Sequence, residues 1–95
     1  MRTLRFEWNP AKAQANLRKH GISFAEAATA FEDDYAQLLP DTTHSEGEER
    51  FYLLGCTDQG HLLTICHCYR GAGEVIRLIS ARKADYHEVL IYREG

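Results

Sequence analysis

Apolar and polar positions alternate through Leu4-Arg5-Phe6-Glu7-Trp8, with the aromatic residues on one side, which predicts a short strand over Leu4–Trp8. Asn9-Pro10 then reads as a helix cap followed by proline at the first helical position, where a missing N–H costs nothing. The helix runs through Ala11 to His20 on alanine, leucine, lysine and arginine, and Gly21 supplies the left-handed residue that ends it. Ser23-Phe24-Ala25-Glu26 is a capping box, and Phe24, Ala27, Ala28 and Phe31 follow at helical spacing, so a second helix buries that stripe. Tyr35 to Leu39 is a short apolar strand, and the polar, acidic stretch Pro40 to Glu49 is a loop. Strands are expected over Arg50–Thr57, His61–Tyr69 and Glu74–Arg82. The turns Asp58-Gln59-Gly60 and Gly71-Ala72-Gly73 are too short for anything but hairpins, so these strands form an antiparallel meander. A last helix covers Lys83 to Tyr92, with Tyr86, Val89 and Leu90 on one face. The order β-α-α-β-β-β-β-α predicts an α+β fold, an antiparallel sheet packed with helices.

A chain of 95 residues, 44% hydrophobic and 26% charged, is one domain's worth of ordinary globular sequence, expected to be a single domain over residues 1–95. The longest uncharged run, Gln59 to Tyr69, carries two histidines and falls far short of the roughly 20 apolar residues of a membrane span. Glu7 and Pro10 stand where a secretion signal needs an apolar run, so a cytoplasmic protein is expected. Cys56, Cys66 and Cys68 are odd in number and lie in apolar sequence, which suits reduced, packed thiols.

A net charge of −3 argues at first against a phosphate backbone as ligand. The distribution of the charges changes the picture. Glu26 to Glu49 holds eight acidic residues and no Lys or Arg, leaving all 11 Lys and Arg against six acids elsewhere. Such segregation presents either one anion-attracting and one acidic face, or merely a solvated acidic helix end.

The candidate chemistry is cationic. Alternation along Glu74–Arg82 sets Val75, Arg77, Ile79 and Ala81 on one face, so Arg77 shares a face with core residues and is either a buried ion pair or a phosphate site. Arg82 ends the same strand, Arg50 opens its own directly after Glu49, and Arg70 sits at a hairpin tip, where solvation is the simpler reading. On the first helix Lys12, Asn16, Lys19 and His20 form one polar stripe opposite Ala13 and Leu17, although cations in a last turn also need no function beyond meeting the helix dipole. His67 points away from Cys66 and Cys68, which breaks a metal reading of that strand. His44-Ser45 beside acids lacks the nucleophile elbow of a Ser/His/Asp site. No glycine-rich phosphate loop and no acidic metal cluster is present, so no metal or cofactor is expected. Cations with one or two histidines suit metal-free RNA cleavage, in which the 2′-hydroxyl attacks its own phosphate, cations stabilise the charge and an acid protonates the leaving oxygen.

Phe6-Glu7-Trp8-Asn9-Pro10-Ala11-Lys12, Asn16-Leu17-Arg18-Lys19-His20-Gly21-Ile22-Ser23-Phe24, Glu49-Arg50 and Arg77-Leu78-Ile79-Ser80-Ala81-Arg82 together resemble the BrnT family of bacterial toxins, in order and spacing, over nearly the whole chain. The resemblance implies a RelE-like fold, endoribonuclease activity against mRNA that inhibits translation, and a BrnA-like ribbon-helix-helix antitoxin that brings the pair to operator DNA. On that reading Arg77 and Arg82 hold the scissile phosphate and Lys19 adds charge. His20 or His67 moves protons, and Glu49 orients Arg50 or acts as base. Lys12, Arg70 and Ser80 are expected to contact RNA. Two rivals are a non-catalytic module acting with an antitoxin-like DNA-binding partner, and a small zinc protein built on Cys66, Cys68 and a histidine.

Overall fold

Along the chain run β1 (Arg5–Glu7), α1 (Pro10–His20), α2 (Phe24–Thr29), a 3-10 turn (Ala30–Glu32), β2 (Gln37–Asp41), β3 (Arg50–Cys56), β4 (Leu62–Arg70), β5 (Val75–Lys83) and α3 (Tyr86–Glu94). The computed structural model describes residues 4–42 and 47–95; His44, Ser45 and Glu46 lie outside them. The strands form one sheet in the order β1-β5-β4-β3-β2. The expected α+β class and the antiparallel meander from β2 to β5 are both present. The sheet is nevertheless mixed. β1 pairs parallel to β5, Arg5 beside Val75 and Glu7 beside Arg77, because the strand arrives at this edge through no hairpin.

Local chemistry sets the element ends. The Asn9 side chain accepts from the N–H groups of Ala11 and Lys12 at 2.9 and 3.1 Å, and Gly21 closes α1 at φ 72° with its N–H on the Leu17 carbonyl. Ser23 caps α2 through the Glu26 N–H. The helix expected from Lys83 starts instead at Tyr86. Asp85 and Glu88 form a reciprocal capping box there, and Lys83 extends β5 beyond Arg82. The strand expected over Tyr35–Leu39 is displaced to Gln37–Asp41, so Pro40 and Asp41 belong to β2 and not to a loop. β2 is a sheet edge, where a residue without an N–H is tolerated.

One core fills the space between α1, α2 and the sheet. Ile22, Phe24, Ala27 and Ala30 pack on Leu53, Leu63, Ile65, Ile76, Leu78 and Ala81, with Phe6, Trp8 and Phe31 at the margin. Gly55 is required where β3 passes the 3-10 turn, since a Cβ there would meet the Ala30 carbonyl oxygen at 3.0 Å and Ala36 Cβ at 3.2 Å.

Two sequence expectations are overturned by packing. Asn16 is not part of an outward polar stripe; it is 7% exposed, while Leu17 is 51% exposed. β1 stops at Glu7, leaving the outer edge of β5 uncovered beyond Arg77, and Asn16 takes the place of a neighbouring strand there. Its Nδ2 donates to the Ala81 carbonyl at 2.9 Å and its Oδ1 accepts from the Ala81 N–H at 3.0 Å. The second correction concerns β5. His67 pairs with Leu78 but Cys66 with Ser80, so Ile79 is an extra residue in a β-bulge. The bulge reverses the alternation, putting Ile76, Leu78 and Ala81 together in the core and turning Arg77 to the opposite face.

Candidate functional site

The face of the sheet away from α1 and α2 collects the arginines. On β4, Thr64, Cys66 and Cys68 point to this side, opposite Arg82, Ser80 and Arg77 respectively. Tyr52 of β3 lies beside Cys66, and Asp41 of β2 pairs with Arg50. The bulge therefore does what simple alternation forbids: Arg77, Ser80 and Arg82 stand in one row.

Each of three arginines in this region has a carboxylate partner. Arg77 Nη1 donates to Glu7 Oε2 at 2.7 Å, and Arg70 lies 3.6 Å from Glu7 and 3.2 Å from Glu48. Arg82 makes a two-pronged pair with Glu88 of α3, at 2.8 and 2.9 Å. Of the two alternatives weighed for Arg77, the structure shows the ion pair. With Glu7 41% exposed, it is a pair at the surface rather than in the core. Such pairs are worth about 0–1 kcal/mol, so an incoming phosphate can take the guanidinium from its carboxylate at little cost.

Titration follows from the same surroundings. Burial, then the Asp41 charge, raises the Tyr52 phenol, which hydrogen-bonds Asp41 and stays protonated at neutral pH. Burial, followed by Asp41, raises the Cys66 thiol, and burial together with the Glu48 hydrogen bond raises that of Cys68. Cys68 Sγ donates to Glu48 at 3.2 Å. Both thiols are held protonated by these surroundings. Among the described residues no group of three or more His, Cys, Asp or Glu is placed to hold a metal ion.

Beside this face, between α1 and the bulged part of β5, lies a hollow of about 220 Å³ lined by Lys12, Ala15, Asn16, Lys19, His20, Ile79 and Ser80. Four residues singled out from the sequence, Lys12, Lys19, His20 and Ser80, are brought together here. Ser80 belongs to both regions, since it also stands between Arg77 and Arg82.

Other expected residues are not brought in. His67 sits on the core face, fully buried between the rings of Phe31, Phe51 and Tyr69. Its Nδ1 faces the Ile65 carbonyl at 3.1 Å and its Nε2 the Tyr69 hydroxyl at 3.2 Å. Burial holds the imidazole below its usual pKa, so it is a neutral structural ring with the sheet between it and Arg77. The same placement separates it from Cys66 and Cys68, against the zinc reading. Glu49 is exposed just before β3, and Arg50 lies at the margin of the arginine face. Glu7, Asp41, Glu48, Tyr52 and Glu88 were not anticipated. Only Glu7 had a sequence signal, as the polar position between Phe6 and Trp8. A larger hollow of about 640 Å³, lined by Leu4, Phe31, Tyr69 and Ile76 among others, opens near the β4–β5 turn and has no grouping of catalytic side chains.

Comparison with known proteins adds to this geometry. Residues 8–88 match the family model described as the ribonuclease toxin, BrnT, of type II toxin-antitoxin systems. The fold is similar to the 1.1 Å crystal structure of the Brucella abortus ribonuclease toxin BrnT, with a TM-score of 0.67 at 24% sequence identity, covering 87% of this chain and 99% of that one. No curated protein sequence matches.

Proposed function

The chain belongs to the BrnT family of type II toxin-antitoxin ribonuclease toxins, and from that premise we propose that it cleaves mRNA without a metal and so inhibits translation. The observation that carries the reading is the row Arg77, Ser80, Arg82 on the sheet face away from α1 and α2, joined through Ser80 to the lysine and histidine hollow. The 2′-hydroxyl of one nucleotide attacks its own 3′-phosphorus as its proton passes to Glu49 acting as base, the P–O5′ bond breaks, and a 2′,3′-cyclic phosphate and a 5′-hydroxyl result. Arg77 and Arg82 exchange Glu7 and Glu88 for the phosphate oxygens and stabilise the charge that gathers on them. Lys19 adds positive potential. His20 gives the leaving 5′-oxygen its proton, a role that passes to it because His67 is walled off in the core. Lys12, Arg70 and Arg50 attract the flanking chain.

A type II toxin has an antitoxin partner, and we assign that role to a BrnA-like ribbon-helix-helix protein that carries the pair to operator DNA. Among the described residues no helix is long and apolar enough to cross a membrane. The place of action in this proposal is the cytoplasm, where mRNA is translated.

The test is a defined transcript incubated with purified protein in EDTA, alongside Arg77→Ala. Cleavage by the wild type alone, leaving cyclic-phosphate ends, is expected. Arg77→Ala retains its circular dichroism spectrum, because the pair it loses is half exposed. Intact RNA both with and without ribosomes overturns the proposal and points to a non-catalytic module acting with its partner.

A further inference from the structure

We infer that the hollow between α1 and β5 is a second phosphate site, taking the RNA phosphate next to the scissile one; this rests on the ribonuclease reading above. The arginines of the row and its neighbourhood differ from the lysines of the hollow in their partners. Arg70, Arg77 and Arg82 are held by carboxylates, whereas Lys12 and Lys19 make no ion pair among the described residues, and no carboxylate lines their hollow. Two ammonium groups, an imidazole and a hydroxyl around about 220 Å³ form a donor-rich, acceptor-poor lining suited to a phosphate.

One effect opposes this. The C-terminal end of α1 presents roughly half a negative charge, which disfavours an anion near Lys19 and His20. Two full positive charges outweigh it. Their placement is also set by the fold. Lys12 and Lys19 lie seven residues apart on one side of the helix, about 10 Å along its axis, with Asn16 between them. Asn16 is pinned to both polar groups of Ala81, which fixes the height of the two lysines against β5. The Ser80 hydroxyl borders both the hollow and the arginine row, so a polyanion leaving the row enters the hollow at once. A single phosphate occupies only one of the two places. A chain with two consecutive phosphates occupies both.

The experiment measures binding of a ten-nucleotide 2′-O-methyl RNA, which has no free 2′-hydroxyl and is not cleaved, by fluorescence anisotropy across a range of salt. Each phosphate neutralised on a single strand contributes about 0.7 to the slope of log K against log salt, so Lys12→Ala/Lys19→Ala, which empties one phosphate site, is expected to lower the slope by about 0.7. Arg93→Ala, which removes a charge from α3, is expected to leave it unchanged. An unaltered slope in the double lysine variant overturns the second site. So does an equal fall in Arg93→Ala, which would reveal only a general charge effect. Wild type is tested in parallel for cleavage of the same RNA without the 2′-O-methyl groups. Cleavage with an unaltered lysine slope removes the hollow and leaves the ribonuclease reading. A lysine-dependent slope without cleavage of RNA, either free or with ribosomes present, removes the ribonuclease reading and leaves the hollow as an RNA-phosphate site.

Discussion

Replacing Asn16 by alanine tests how α1 is held against the sheet. The side chain makes three hydrogen bonds to backbone: Nδ2 to the Ile22 and Ala81 carbonyls at 3.0 and 2.9 Å, and Oδ1 from the Ala81 N–H at 3.0 Å. A buried hydrogen bond contributes about 1 kcal/mol net, so three together contribute about 3 kcal/mol. Alanine restores part of this through its higher helix propensity, roughly 0.5 kcal/mol. Against that gain, the buried Ala81 N–H loses its partner and costs about 1–3 kcal/mol where water cannot replace it. A net loss of about 3.5–5.5 kcal/mol is expected. Leu17→Ala, one residue along the same helix, is the contrast: the leucine is half exposed, and its loss should cost less than about 1 kcal/mol. Urea unfolding followed by circular dichroism measures both, with an unchanged m-value as the condition for comparing midpoints. If Asn16→Ala loses less than about 1 kcal/mol, or Leu17→Ala loses more than Asn16→Ala, the account of α1 docking through Asn16 is wrong.

Two further outcomes follow from packing. His67 is neutral and buried in the folded protein, with a pKa below that of the unfolded chain, so the unfolded state binds more protons in acid. Its contribution is fully present above the unfolded value, about 6.5, and is lost as pH falls from there toward the folded pKa. Unfolding free energy measured from pH 7.5 to 5.5 should therefore fall in the wild type, by at most about 1.4 kcal/mol per pH unit, and less in His67→Phe; equal slopes would refute this. Gly55→Ala forces a Cβ to 3.0 Å from the Ala30 carbonyl oxygen, and a loss of about 1–3 kcal/mol in thermal or urea unfolding is expected, whereas a neutral result would show that the 3-10 turn yields freely.

Much of the scaffold is determined by local chemistry that a sequence displays. Asn9-Pro10 and Gly21 bound α1, Ser23 with Glu26 starts α2, and the short turns after Cys56 and Arg70 force the meander. These features depend on residues a few positions apart, so their energies are legible from spacing alone. The family blocks were legible for the same reason, and Lys12, Lys19 and His20 share a helix side simply by helical spacing. The face on which Arg77 lies was not. It depends on one extra residue, Ile79, and strand period is so short that a slip of one position sends every following side chain to the other side. Asn16 and Leu17 exchanged their expected places because the unpaired edge of β5 offers backbone groups to an amide and nothing to a leucine. Such an edge exists only once β1 has paired parallel to β5 and ended at Glu7. The sequence by itself determined which elements form and which cations are available. Only the tertiary structure decided which of those cations are held by carboxylates, which line a hollow, and which histidine is closed inside the core, because those choices are made by residues as far apart as Glu7 and Arg77.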